Sequence, residues 1–232
     1  MIEVADLKKT YLMGKVGVSA LRGVSLSIKK GEFVGIMGPS GSGKSTLLHQ
    51  LGLLDTPSSG SIRIHGTNVS GLDDEERTLF RLMHLGYVFQ DYALVTELTV
   101  LENVAIPAIM QGRPINDCYA AAEKFLEKVG LSGRLRHLVY ELSGGEQQRV
   151  SIARALVNTP SIVFADEPCA NLDTENSRTI LEIFRSVNRE LGQTIVMVSH
   201  ELWHQEYFDR IIFIRDGCLD IERIEKEGKR IA

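Results

Sequence analysis

Apolar positions in the first third of the chain recur at every second residue. In VSLSI, Val24, Leu26 and Ile28 fall on one face and Ser25 and Ser27 on the other, and MIEVADL alternates in the same way. This is the period of a strand with one buried face. GEFVGIMG then runs apolar without a break, as strands do when both faces are covered in a mixed or parallel sheet. A helix is predicted to open at Gly43 and run through STLLHQLGLL to the turn residues DTPSSG. SIRIHG and LGYVFQ read as further short strands.

From about Asp91 the period lengthens. TVLENVAIPAIM, NDCYAAAEKFLEKVG and GEQQRVSIARALVN all carry helical spacing, and no strand pattern returns until Ser161. Pro107 lies inside the first of these and predicts a kink or break. SIVFAD is a buried strand, 174–191 a long amphipathic helix and TIVMVS another strand, while RIIFIRDGCLDIE reads as a β-hairpin on an Asp-Gly turn. The pattern predicts an α/β core interrupted by a helical insertion. Repeats and low-complexity segments are absent from the sequence.

Composition narrows the class. The chain has 232 residues, 44% apolar and 24% charged, which suits a soluble globular domain. A formal net charge of −4 argues against general nucleic-acid binding, which draws on a basic field. Runs such as FVGIM and TIVMV are too short to span a bilayer, and MIEVADLKKTY lacks the apolar region of a signal peptide, so the chain is expected in the cytoplasm. Cys118, Cys169 and Cys218 are scattered and form no C-x-x-C, which fits a reducing compartment. Cys169, beside an acidic strand end, is the one expected to be most open to modification.

GPSGSGKST matches G-x-x-x-x-G-K-[ST] between a buried strand and a helix, the context in which that motif cradles phosphates. Within Gly38, Pro39, Ser40, Gly41, Ser42, Gly43, Lys44, Ser45 and Thr46, the glycines let successive N–H groups turn inward as an anion-binding nest. Lys44 is expected to bridge the β- and γ-phosphates, Ser45 to take a Mg²⁺ position, and Thr46 to touch the α-phosphate. Asp166 and Glu167 end a buried strand, where neighbouring side chains point to opposite faces. Asp166 is therefore read as a Mg²⁺ group acting through water or from behind the ligands, and Glu167 as the base for, or orienter of, the attacking water.

HELWH, residues 200–204, matches the zinc-protease pattern H-E-x-x-H. That motif belongs on a helix with a further ligand downstream. Here it follows directly on the strand TIVMVS, and Glu206, Asp209, Asp220 and Glu222 are poorly spaced third ligands. His200 is better placed to reach a γ-phosphate from a strand end, and His204 is assigned to a surface helix. His49, His65, His84 and His137 are read as structural or surface histidines. LDDEER is read as a solvated helix start, and Trp203 as packing or a surface anchor.

LSGGEQQRV, residues 142–150, carries a second anion-binding helix start. Ser143 and Glu146 have the spacing of a capping box, with two glycines between them. LSGGEQQR resembles the signature motif of ATP-binding cassette (ABC) ATPases, and the other elements stand in that family's order. The resemblance covers nearly the whole chain and implies one α/β domain of P-loop fold: a mixed, mostly parallel sheet with an antiparallel β part over about 1–90 and 159–232, and an inserted helical subdomain over about 91–158. It also implies ATP and Mg²⁺ as ligands, and ATP hydrolysis coupled to transport. Tyr11, helped by Val18, resembles the aromatic residue that stacks on adenine. Gln90, in YVFQD, resembles the glutamine that senses Mg²⁺ and the attacking water. Asn171, Leu172 and Asp173 match the D-loop, and His200 the switch histidine. Cys169-Ala170 before the D-loop and Glu201 after the histidine depart from the common pattern without removing a group of assigned role.

GYVFQDYALVTELTVLENVAIPA is similar to the branch serving lipoprotein release, macrolide or peptide export and the cell-division permease complex. The resemblance implies a transmembrane permease as partner, at the cytoplasmic face of the membrane. It also implies a head-to-tail dimer with a second copy, in which Ser143, Gly144, Gly145 and Glu146 cap a nucleotide held by the partner's phosphate loop. A non-transport ABC ATPase, linked to cell division or to nucleic acid, is the alternative. Its DNA-repair members carry a long coiled coil where this chain has no sustained heptads, and its translation-factor members carry two cassettes where this chain has one.

Overall fold

The computed structural model describes residues 1–14 and 16–220. In chain order the strands and helices are β1 (Ile2–Met13), β2 (Val16–Ile28), β3 (Phe33–Met37), α1 (Lys44–Leu51), β4 (Ser59–Ile64), β5 (Thr67–Asn68), α2 (Asp74–His84) and β6 (Leu85–Val88). They continue as α3 (Val100–Met110), α4 (Ile115–Lys128), α5 (Gly144–Leu156), β7 (Ile162–Asp166), α6 (Thr174–Leu191), β8 (Thr194–Val198), β9 (Arg210–Arg215) and β10 (Cys218–Leu219). The chain divides into two compact units, Met1–Thr78 together with the chain from Thr194, and Leu79–Gln193.

The first unit is built on strands. An antiparallel sheet runs β2-β1-β4-β5, and the alternation predicted for VSLSI is present, with Val24 and Ile28 buried and Ser25 and Ser27 exposed. The first two strands are longer than the pattern suggested, reaching 12 and 13 residues. Register shifts along β1 between Val4 and Thr10 interrupt the regular alternation, so its period does not mark the strand's full length. β3 lies between β8 and β9, parallel to both, and β10 turns back antiparallel on β9.

All five residues of β3 and of β8 are buried, as continuous apolar runs in a parallel sheet require. Gly35 makes room in β3 for the Phe208 ring, which a Cβ would meet at 2.3 Å. The β9–β10 turn has Asp216 and Gly217 both at positive φ, 49° and 77°, the predicted two-residue hairpin. The part of that hairpin predicted at Ile221 and Glu222 lies outside the described residues.

The second unit is mostly helical, with β6 and β7 as a parallel pair. α3, α4 and α5 pack on one another, and α5 also meets β6 and α6. Thr99 caps α3 in a reciprocal box with Glu102. Of the kink or break expected at Pro107, a break does not occur, for α3 runs on to Met110. Proline withholds one N–H donor, and here the helix ends within a turn of it, so few bonds are at stake. The Pro107 carbonyl is held by Asn158 Nδ2 at 2.9 Å. α6 occupies the predicted 174–191, capped by Asp173 and closed by Gly192 at φ 64°.

Candidate functional site

The phosphate loop is a rigid turn between β3 and α1. Gly38 has φ 150° and Gly43 φ 103°, and a Cβ on either would meet backbone, at 2.0 Å from the Ile214 carbonyl and 2.5 Å from that of Ala20. Only glycine combines those dihedrals with such close approach. Gly217 ties the loop to the hairpin turn, donating to the Ser42 carbonyl at 2.9 Å while its own carbonyl accepts from Arg22 N at 2.8 Å. Lys44 is 6% exposed, and its ammonium donates to the Pro39 carbonyl at 2.9 Å, folded over the loop it belongs to.

Two features test whether this loop suits a polyphosphate. Ser42 Oγ is buried without a hydrogen-bond partner, and Gly41, at φ 73°, faces open space. The first-turn N–H groups of α1 also have no intrahelical acceptors. A concave donor-rich loop with an unsatisfied hydroxyl fits a phosphate chain. Ser45 and Thr46 stand half-buried in that first turn.

Tyr11 and Val18 are cross-strand partners on β1 and β2. Both are exposed, at 37% and 45%. The Tyr11 hydroxyl donates to Asp55 Oδ2 at 2.8 Å and also interacts with the Thr46 side chain. Burial, and then the Asp55 carboxylate, push the phenol above its ordinary pKa. The structure thus brings the predicted base platform to the helix that opens at the phosphate loop.

His200 lies exposed just beyond β8, with Nε2 3.4 Å from Glu201 Oε1. The strand end is fixed by Ser199 N, which donates to the Ile36 carbonyl at 3.1 Å. His204 is not on a surface helix. It is 3% exposed, lies in a 3₁₀ segment over Leu202–Tyr207, and has Nδ1 2.7 Å from Ser199 Oγ. Burial pushes its pKa down to about 4, against the pull of Glu201. A 3₁₀ turn that begins after His200 does not set both histidines on one α-helical face. Among the described residues no group of three or more His, Cys, Asp or Glu side chains is placed to hold a metal ion; Glu222 lies outside them.

In the second unit the capping box of α5 is formed. Ser143 N donates to Glu146 Oε2 at 2.9 Å and Glu146 N to Ser143 Oγ at 3.3 Å. The Ser143 N–H holds the Glu146 carboxyl below its ordinary pKa against its burial, helped by Arg134 at 3.0 Å. Ser143 is exposed and Gly144 half-buried, but Gly145 is buried. A Cβ on Gly145 would meet Asn176 Oδ1 at 2.5 Å, so this glycine makes room for the chain's own packing. Asn176 in turn binds both carboxylate oxygens of Asp173, at 2.8 and 2.7 Å. Those bonds, the Asn176 N–H first, hold the Asp173 carboxyl below its ordinary pKa.

Gln90 is exposed in the turn after β6, and its carbonyl accepts from Asn171 Nδ2 at 3.2 Å. The next residues, Tyr92 and Ala93, have φ 62° and 49°, a conformation that costs non-glycine residues of order 1–2 kcal/mol each. Arg154 holds them there, donating to both carbonyls at 2.8 and 2.6 Å. The structure therefore gathers Gln90, the D-loop and the start of α5 within one unit.

Asp166 ends β7, half-buried, and Glu167 follows at φ 45°. The opposite-face rule thus stops at Asp166, since Glu167 lies past the strand in left-handed backbone. Cys169 is not the exposed thiol. It is 8% exposed, its Sγ lies 3.8 Å from the Ser177 carbonyl, and burial pushes its pKa up to about 12. Cys218 is the exposed cysteine. Sequence reasoning missed Arg154, Asn176, Asp55 and Lys9. Arg154 touches Tyr92 and Ala93 from 62 and 61 residues away, and no local pattern signals such a bond.

The ABC transporter family matches residues 21–170. An uncharacterized ABC transporter ATP-binding protein of Thermotoga maritima is 49% identical over 228 residues, covering 98% of this chain and 96% of its own. A macrolide export ATP-binding/permease protein of Chlorobaculum tepidum is 47% identical over 99% of this chain, which spans 35% of that protein's length. The chain thus spans about a third of the macrolide-export relatives it matches. Among solved structures, a dimeric ATP-binding cassette in a post-hydrolysis state, bound to ADP and Pi, superposes with a TM-score of 0.89. It is 41% identical, over 95% of this chain and 97% of its own.

Proposed function

Because the chain belongs to the ABC transporter family, as a cassette that binds and hydrolyses ATP, we propose that it powers a membrane permease through a head-to-tail dimer closed by ATP. One observation carries this reading: a single chain has two helix starts of the kind that suits an anion, the glycine-rich loop at α1 and the capped, glycine-led start of α5. A monomer with one nucleotide has use for one of them. In a dimer, the α5 start of one copy caps the γ-phosphate held by Gly38–Thr46 of the other. The dimeric cassette among the similar structures supports the arrangement.

Each residue then has a task. The loop N–H groups and Lys44 bind and orient the phosphates, with Thr46 at the α-phosphate. Tyr11 and Val18 carry the base. Glu167 takes a proton from, or orients, the attacking water, and its left-handed backbone supports a held orientation. His200 contacts the γ-phosphate, and Asp173 orders the D-loop. Mg²⁺ would be held by Ser45, Gln90 and Asp166, directly or through water, and would neutralise charge building on the phosphates. These are hard oxygen donors, and Mg²⁺ is usually bound by one or two carboxylates together with substrate phosphates.

The segment over about 91–158 serves as the signature subdomain. The kinship with macrolide export proteins supports a permease of the export, lipoprotein-release or force-transmitting type, met at the cytoplasmic face of the membrane. No helix among the described residues is long and apolar enough to cross that membrane.

The test is light scattering on two variants. Glu167→Gln should lose on the order of 10²-fold or more in turnover and double its mass when ATP is added. The double variant Glu167→Gln, Ser143→Arg should bind ATP and stay monomeric. Dimerisation of the double variant on ATP would refute the shared-site reading.

A further inference from the structure

A half-exposed tyrosine near the end of a long hairpin has no reason to hold one rotamer by itself. Tyr11 is nevertheless anchored through residues that no motif marks. Its hydroxyl donates to Asp55 Oδ2. The other oxygen, Oδ1, takes the Lys9 ammonium at 2.7 Å and the Thr56 N–H at 2.7 Å. The Lys9 ammonium also donates to the Thr56 carbonyl at 2.7 Å and stands 4.8 Å from the Tyr11 ring centroid. One cation therefore closes a triangle with the carboxylate and the ring.

The loop bearing Asp55 is fixed from behind. Arg77, 8% exposed, donates to the Leu53 and Asp55 carbonyls at 3.0 and 2.9 Å. The loop is also stitched to β1, since Ser58 N donates to the Lys8 carbonyl at 2.8 Å and Thr10 N to Ser58 Oγ at 3.0 Å. Burial pushes the Asp55 carboxyl up, but the bonds from Lys9 and Tyr11 outweigh it and leave the group below its ordinary pKa. An exposed ion pair contributes little to stability. This one, with side chains 12% and 27% exposed, acts through geometry: two short bonds and a cation–π contact leave the phenol ring little freedom.

We propose that Asp55 and Lys9 are positioning residues for nucleotide binding, which lock Tyr11 with its Lys9-covered face turned away from the ligand and the opposite face presented to the purine of a nucleoside triphosphate. The inference rests on Tyr11 being the base platform. It adds that the platform is pre-ordered by an aspartate 44 residues away in the chain, so that little rotamer entropy is lost when the base stacks.

The test separates base binding from phosphate binding. ATP and inorganic tripolyphosphate are titrated by calorimetry into the wild type, Tyr11→Ala, Asp55→Ala, Asp55→Asn and Lys9→Met. Asp55→Ala should weaken ATP about 3- to 10-fold, within the worth of one base–aromatic stack, and leave tripolyphosphate affinity unchanged. Lys9→Met should do the same to a smaller extent. Asp55→Asn keeps an acceptor for the Tyr11 hydroxyl and should fall between Asp55→Ala and the wild type. If Tyr11→Ala weakens ATP while Asp55→Ala does not, the positioning role is overturned and the platform stands. Equal weakening of both ligands in Asp55→Ala would reduce Asp55 to a general structural part, which also overturns the proposal. An unchanged ATP affinity in Tyr11→Ala would overturn the platform and the proposal together.

Discussion

His204 shows how far a residue's surroundings can depart from its motif. It is buried against Ser199 and next to Trp203, and its pKa is pushed down to about 4, with Glu201 and His200 the nearby titratable groups. An unfolded histidine titrates near 6.5, so between those values the unfolded chain holds a proton that the folded one does not. Stability is therefore intact above about pH 6.5 and falls as pH drops towards 4. At pH 5 the loss from this group alone is about 2 kcal/mol. His204→Gln, which can still bond Ser199 and does not titrate, should lose about that much less between pH 7 and pH 5. Urea midpoints at the two pH values measure it.

Strand β3 shows the same at the scale of an element. Its apolar run made it a buried strand from sequence, but the glycine in its middle had no reading there. The Phe208 ring lies over Gly35, with ring carbons 2.3, 2.4 and 2.9 Å from where a Cβ would sit, and meets Phe33 edge-on with centroids 5.2 Å apart. Gly35→Ala should therefore cost about 1–3 kcal/mol, the usual penalty of overpacking a filled core. Adding Phe208→Leu should recover part of that cost if the collision is its origin. Denaturant unfolding of the two single variants and the double, read as a cycle, isolates the coupling.

At the scale of the whole molecule, the two helix starts set the expectation for kinetics. If hydrolysis needs the α5 start of a second copy, specific activity should rise with protein concentration and level off once dimers dominate. Ser143→Arg should flatten that rise at a low rate. Mixing it with Lys44→Ala should restore part of the activity, because one composite site then has an intact loop and an intact cap. Steady-state phosphate release over a wide concentration range checks both statements. A concentration-independent rate would point to hydrolysis within one chain.

Much of the site was legible because its chemistry is local. The bends of the phosphate loop need glycines at fixed spacing, the capping box of α5 needs Ser143 and Glu146 three residues apart, and the buried strands need unbroken apolar runs. Each requirement is met within about a dozen residues, so the sequence alone determined where the glycine-bent loop lies, which helix start is capped, and that the class is α/β.

Tertiary structure decided what depends on residues distant in the chain. It buried His204, which a linear pattern had placed on a surface helix, and Cys169, which it had marked as open to modification, and carried α3 past Pro107. It filled the space beside Gly145 with Asn176 and tied Tyr92 and Ala93 to Arg154 and Tyr11 to Asp55. Burial and long-range hydrogen bonds depend on which segments the fold brings together, and hydrophobic periodicity records only which face of each segment prefers to be covered.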